Sequence, residues 1–425
     1  MGEHVTIGVP VYRGELFVEE TLRSIQNQTY KDFDVIMSVD GPDPVCEDSC
    51  SSFLNDSRFT LAVQPERLGW VGNINWLMSQ VTGDFWYYHQ QDDLTAETYV
   101  EVLIEYARRN PAAALVYCDL VPFGRIEGLF PQVPSVMGAT AFIRQMTFLH
   151  EQYPAFAFRG LTRANALRKA GGIPTNDCEN FGVDITWLAA VALSGELHHV
   201  PMQLYRKRYH SNNTDSKWWT WGKEMRLKAW TCHCADMLGQ ALRVEGTAQE
   251  MRLLWLAAIE RLTSPQAAGY FLPVAELTKA ERTRMFDSFI DRVRASAVHN
   301  IPVLLDADWG QIDQWSRGFY WLPSGAPVEI IGFGPNPITR GEPYNTQPDG
   351  SSAIWVRTSR RAAPGSRIRL AGTVLDTVLT GTVLTALVPA PLTKQVGTLE
   401  LVLVGPDRSP WSQPVTLEIR DASSA

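Results

Sequence analysis

Residues 1–213 of this chain are predicted to form an α/β domain on a mostly parallel sheet, followed by a helical extension over 214–322 and a β-sandwich domain over 323–425. Three observations predict this. Short β-rich runs alternate with amphipathic runs through the first 210 residues, as strands joined by crossover helices do. From about Lys217 to Val293 apolar residues recur at three- and four-residue spacing, the period of one helix face. After Leu322 strand signals recur with turns between them.

Taken in order, "HVTIGVPVY" reads as the first strand, and "ELFVEETLRSIQNQ" as a helix with Val18, Leu22 and Ile25 on one face. "FDVIMSVDG" is the second strand, broken by Gly41 and Pro42. "FTLAVQ" is the third, "GNINWLMSQV" a helix, and "DFWYYH" the next strand. "LRKAGG" reads as a helix end, with basic residues against the dipole and Gly171 as the stop. In the helical segment Met225, Ala229, Cys232, Ala235, Leu238 and Leu242 keep the spacing, and "TKAE" at 278–281 is a capping box. "PSGAP" reads as the linker to the tail. In the tail Val415, Leu417 and Ile419 alternate with Thr416 and Glu418, as a half-exposed strand would.

A chain of 425 residues implies roughly two or three domains. The formal net charge of -8 and pI of about 5.6 exclude a generally basic nucleic-acid binder. A phosphorylated ligand then needs a metal or a local basic pocket. The start "MGEHVTIGVPVY" has no basic lead before an apolar core, and no run approaches the ~20 apolar residues of a spanning helix. The expected location is therefore the cytoplasm, with free thiols at Cys46, Cys50, Cys118, Cys178, Cys232 and Cys234. "CHC" at 232–234 and the pair Cys46/Cys50 suggest zinc only weakly, because neither has a CxxC partner.

The stretch that demands chemistry is "FWYYHQQDDLTAE", residues 85–97, where an apolar strand ends on adjacent carboxylates. In parallel sheets ligands bind beyond the carboxyl ends of the strands, where Asp40 also falls. Asp92 or Asp93 could simply cap a helix starting near Thr95. Hard oxygen ligands at a strand end also suit Mg²⁺ or Mn²⁺ on a diphosphate.

The surrounding motifs decide between these. "VTIGVPVYRGELFVEETLRSIQNQTYKDFDVIMSVDG", "LGWVGNINWLMSQVTGDFWYYHQQDD" and "LRKAGGIPTNDCENFGVDITWLAAVALSGELHHVPMQLYRKRYH" resemble, in order, the conserved blocks of family 2 glycosyltransferases, over roughly residues 4–213. The resemblance implies a GT-A fold, a nucleotide-diphosphate sugar donor (a UDP-sugar favoured), Mn²⁺ or Mg²⁺, and sugar transfer to an acceptor hydroxyl with inversion. It places Pro10, Val11, Tyr12, Asn75 and Gln91 at the nucleotide and Asp40 on the base. It gives Asp92, with Asp93 and His210, to the metal, and Asp184 to general-base catalysis, with Glu179 the alternative base. Phe158, Arg159, Gly160 and Trp218 are candidates for the acceptor, whose identity is open. A sugar-stacking platform at Trp218, Trp219 and Trp221 competes with plain packing.

Three positions depart from the family pattern: Gln90 replaces the first Asp of the metal motif, Val183 replaces a Glu before Asp184, and Ile74 replaces an Arg. Gln90 keeps open a rival reading, a degenerate protein of this fold that binds sugar nucleotide or glycan without transfer. The tail, with "TVLTALVPAPLTKQVGTLELVLVGPDRSPWSQPVTLEI", more loosely resembles an immunoglobulin-like IPT/TIG sandwich, which implies a protein or glycan contact rather than chemistry.

Overall fold

A computed structural model describes residues 3–126, 133–150, 155–210, 214–269, 271–296, 329–347, 350–358, 366–380, 382–404 and 412–421. The chain divides into two compact units, Met1–Leu304 and Leu305–Ala425. The expected linker at 323–327 lies outside the described residues.

The first unit is built on eight strands: β1 (Val5–Val11), β2 (Phe33–Val39), β3 (Phe59–Val63), β4 (Phe85–Tyr88), β5 (Leu94–Thr95), β6 (Ala113–Gly124), β7 (Leu161–Arg163) and β8 (Glu196–Tyr209). They lie in the order β3-β2-β1-β4-β7-β6-β8-β5. Pairing is parallel through β3, β2, β1 and β4, antiparallel where β7 enters between β4 and β6, and parallel again between β6 and β8. The apolar runs of β1 and β2 are buried because helices cover both faces.

The helices are α1 (Val18–Gln26), α2 (Pro44–Ser51), α3 (Gly69–Ser79), α4 (Tyr99–Arg109), α5 (Ala141–His150), α6 (Ala164–Ala170), α7 (Val183–Ala192), α8 (Lys223–Ala241), α9 (Ala248–Thr263), α10 (Pro265–Ala268) and α11 (Lys279–Ser296). On α1 the face Val18, Leu22 and Ile25 is fully buried. Gly171 ends α6 at φ 77°, a conformation that costs glycine little. The Thr278–Glu281 capping box opens α11 in both directions, and Thr247–Glu250 forms a second one at α9. The helical segment packs into the first unit, α8 on α7 and α9 on α5.

The second unit is a β-sandwich of nine described strands: β9 (Ile330–Gly334), β10 (Ile338–Thr339), β11 (Ala353–Thr358), β12 (Arg367–Leu370), β13 (Thr373–Val374), β14 (Thr377–Thr380), β15 (Val383–Leu387), β16 (Gly397–Val404) and β17 (Val415–Arg420). One sheet runs β10-β17-β16-β12-β13, the other β14-β15-β11-β9. Both supply one core: Ile354, Val356 and Leu384 from one sheet, Ile368, Leu401, Leu417 and Ile419 from the other. The alternation in β17 is as expected, Leu417 and Ile419 inward and Thr416 outward.

Candidate active site

The parallel strands β1, β2 and β4 end on the same edge of the sheet. They deliver Tyr12, Asp40 and the loop Gln90–Asp93 there. That loop is fixed from below by Thr21 of α1, whose hydroxyl donates to the carbonyls of Gln91 and Asp93. β8 reaches the same loop: Arg208 donates from Nε to the Asp92 carbonyl at 2.8 Å and from its backbone N–H to Asp93 Oδ1 at 2.8 Å.

The adjacent carboxylates then part. Asp92 Oδ2 lies 2.7 Å from His210 Nε2, and both groups are partly open to solvent. Asp93 is buried. Its Oδ2 accepts from the Tyr205 hydroxyl at 2.9 Å and from Arg159 Nε at 3.4 Å. Burial and the Asp92 charge push its carboxyl up to about 6. Neither residue caps a helix: the N-cap of α4 is Thr98, with β5 intervening. Asp93 was expected among the metal residues. Its oxygens face Arg159, Tyr205 and Arg208 instead, so it braces the loop.

Arg159 was expected at the acceptor. It is a buried cation under the site. Its guanidinium donates to Gln90 Oε1 from Nη2 at 2.6 Å and from Nε at 3.1 Å. Gln90 therefore turns toward Arg159. The flanking acceptor candidates also belong to the core. Phe158 packs edge-on to Trp187 at 5.4 Å, and a Cβ on Gly160 would meet the Val116 carbonyl at 2.6 Å.

Asp184 opens α7 behind Gly182, which sits at φ 69°. Its Oδ1 accepts the Ile185 N–H at 2.9 Å. Burial raises its carboxyl above the ordinary range, while the Ile185 N–H and the Arg159 charge hold it back. Arg159 thus acts electrostatically on both Asp93 and Asp184. The alternative base, Glu179, is ion-paired to Lys217 at 2.7 Å.

On the nucleotide side, Asp40 accepts the N–H groups of Leu68 at 2.6 Å and Gly69 at 3.1 Å, so it caps α3 from a neighbouring strand. Tyr12 is covered by Arg67, 4.0 Å from its ring centroid, with Arg13 at 5.3 Å. Pro10 is half-buried in β1. Three expected contacts are turned elsewhere. Val11 is fully buried in the core. Asn75 spends its amide on both backbone groups of Ile173, at 2.9 and 2.7 Å. Gln91 does the same for Tyr12, at 2.8 and 2.9 Å, and a Cβ on Gly14 would strike its Oε1 at 2.2 Å. A side-chain amide that pairs with a backbone amide splints a turn, and that role leaves no signature distinct from ligand binding in the sequence.

Arg67 and Arg208 were not singled out from the sequence. Each is one basic residue in an acidic chain, and only the fold brings them to the strand ends. Phe181 stacks on Phe271 at 4.3 Å and meets Trp218 edge-on at 5.1 Å. Trp218 is half-buried in this cluster, while Trp219 is 55% exposed.

Of the predicted metal residues, Asp92 and His210 could hold an ion. One carboxylate oxygen and one imidazole nitrogen at hydrogen-bond separation fit a divalent cation. The carboxylate oxygen suits Mg²⁺ or Mn²⁺.

The family model for Glycosyl transferase family 2 matches residues 6–167. Residues 6–167 carry a family 2 glycosyltransferase domain. The chain is 26% identical to glycosyltransferase GlyA of Streptococcus pneumoniae over 132 residues, 30% of this chain and 18% of that protein. It is 22% identical to an uncharacterized glycosyltransferase of Haemophilus influenzae over 224 residues, covering 50% of this chain and 67% of that one. In structure it resembles S. aureus TarS 1-349, with a TM-score of 0.50 at 12% identity over 77% of this chain and 94% of that chain. Full TarS gives 0.50 at 11% identity over 98% of this chain and 77% of that chain. At such identities the likeness shows the glycosyltransferase fold. Among the described residues no helix is long and apolar enough to cross a membrane.

Proposed function

We propose that the chain transfers a sugar from a nucleoside diphosphate sugar to an acceptor hydroxyl with inversion, with Asp184 as general base and Asp92 and His210 holding a divalent ion. The observation that carries this is the Asp92–His210 pair at 2.7 Å on the ligand edge of the sheet, above a buried Arg159 that also acts on Asp184. The acceptor hydroxyl must shed a proton as it attacks the anomeric carbon. Asp184 is suited to take it: burial makes it more basic than a free carboxylate. One base and one ion suffice for a single displacement, which needs no enzyme nucleophile, hence inversion. A bound Mn²⁺ or Mg²⁺ would supply charge neutralisation for the departing diphosphate. Arg67 stacked on Tyr12 and the Asp40 carboxylate form the nucleotide side. A UDP-sugar is the first donor to test, since TarS 1-349, of like fold, has been solved with UDP-GlcNAc. Exposed Trp219, on the cluster beside Phe181, offers the acceptor a stacking face.

The test is Mn²⁺-dependent nucleotide binding and donor hydrolysis with UDP-, GDP- and dTDP-sugars, run on wild type, Asp92→Asn and Asp184→Asn. Asp92→Asn should lose metal-dependent affinity. Asp184→Asn should keep it and lose turnover by on the order of 10²–10⁴-fold. Metal-dependent binding without turnover in wild type, for every donor, would favour a binding protein.

A further inference from the structure

Outside this site, the structure gathers a second set of metal-type donors. Asp177, Cys178 and Cys232 each offer a ligand atom, all within 4.8 Å of one another. The distances are telling. Asp177 Oδ1 lies 3.9 Å from Cys178 Sγ and 3.7 Å from Cys232 Sγ. Asp236 Oδ2 lies 3.7 Å from Cys232 Sγ on the other side. Zinc bonds of about 2.3 Å to sulfur and about 2.1 Å to oxygen put tetrahedral ligand atoms about 3.6 Å apart. Asp177, Cys178 and Cys232 are thus spaced close to the edges of a zinc tetrahedron, whereas Asp236 reaches Cys232 but stands outside the set that is mutually within 4.8 Å, so its carboxylate would swing in to complete the coordination.

We propose that Cys178, Cys232, Asp177 and Asp236 form a thiolate-containing zinc site that fastens the loop leading to Asp184 onto α8. Cys178 lies in the turn before α7, where Glu179 and Asn180 hold left-handed φ values of 51° and 57°. Cys232 and Asp236 are one turn apart on α8. The ion would therefore pin a strained turn, six residues before the general base, to a long helix.

The charges balance in both states. Without metal, the carboxylates of Asp177 and Asp236 are matched by Arg292 and Lys228. With Zn²⁺, each thiol gives its proton to solvent, so two positive charges replace two protons and the cluster stays neutral. The ion pairs need not break. Arg292 binds Asp236 through Oδ1 at 3.0 Å, leaving Oδ2 to the thiol side. Lys228 takes Asp177 Oδ2 at 2.9 Å, and Oδ1, which Arg292 also contacts at 2.8 Å, keeps a lone pair. Asn176 donates to Asp236 Oδ2 at 3.4 Å, as an outer-shell partner orients a ligand. The cluster is reachable, because Asp177 is 57% exposed.

The test uses the full chain, stripped of metal and kept reduced, with no nucleotide present. Cd²⁺ should produce a thiolate charge-transfer absorbance at one equivalent. Zn²⁺ should abolish it, release protons and raise the melting temperature. Cys178→Ser/Cys232→Ser should lose the absorbance, and Asp92→Asn should keep it, which separates this site from the proposed catalytic ion. Should the double variant not fold, Asp177→Asn and Asp236→Asn keep both thiols and should weaken Zn²⁺ by at least about ten-fold, a scale that even outer-shell changes reach. No thiolate absorbance in wild type overturns the proposal. So does an absorbance unchanged in the double variant, which would place the thiols elsewhere. So does a disulfide between Cys178 and Cys232 that forms in preference to metal binding, seen as a loss of two hydrogens by intact mass.

Discussion

Replacing Arg159 with Met should strike both carboxylates of the site at once. The guanidinium is buried, with side-chain exposure of 10% against 1% for Asp93. It makes two hydrogen bonds to Gln90, at 2.6 and 3.1 Å, and one ion pair to Asp93 at 3.4 Å. Met fills similar volume, so the loss is electrostatic rather than a cavity. Removing one partner of a buried pair leaves the other charge uncompensated, which costs about 3–5 kcal/mol. Asp93 retains the Tyr205 hydroxyl and the Arg208 N–H, which argues for the lower half of that range. Denaturant unfolding of wild type and variant at pH 7 measures this. The second readout is kinetic. Arg159 holds the Asp184 carboxyl down against the burial that raises it. Without Arg159 that carboxyl rises further, so the acid limb of the kcat/KM profile should move to higher pH. A stability loss under about 1 kcal/mol, the range of exposed pairs, together with an unmoved acid limb, would refute the bridging role.

Gln90→Asp restores the family's first acidic position, yet it should leave Mn²⁺ dependence of nucleotide binding within about two-fold, because this side chain faces Arg159; a gain of ten-fold or so in metal affinity would show that position 90 reaches the ion. Asp40→Ala should lower stability by about 1–2 kcal/mol for the lost cap on α3, and nucleotide affinity by about 1.5–3 kcal/mol for a lost charge-assisted bond; unfolding and calorimetry separate the two, and an unchanged affinity would remove Asp40 from the base pocket. His4 hydrogen-bonds Asp32 at 2.8 Å and also Asp34, and these carboxylates raise its pKa above 6.5 against the opposing effect of burial. A raised folded pKa stabilises below the unfolded value and fades as pH rises through the folded one, so the stability deficit of His4→Gln should be full below pH 6.5 and shrink on the alkaline side; a deficit independent of pH would mean that the contact is not ionic.

The pattern in the sequence carried the order of elements far. The buried face of α1, the glycine stop of α6, the Thr278–Glu281 box and the alternation of β17 are local: each depends on spacings of two to four residues, and spacing is what a sequence displays. The strand-end position of Asp40 and Asp92 was legible for the same reason, since a parallel sheet aligns the carboxyl ends of its strands. The direction of each polar side chain was not. Asp92 and Asp93 are neighbours with the same chemistry, yet one faces His210 and the other Arg159 and Tyr205. The partners that choose between them come 66–118 positions later in the chain. Gln91 and Asn75 are amides that suit a ligand as well as a backbone, and only folding supplied Tyr12 and Ile173 to claim them. Cys178 and Cys232 lack the short spacing of a metal motif. The packing of α8 against α7 sets them together, so that pairing belongs to the tertiary structure alone.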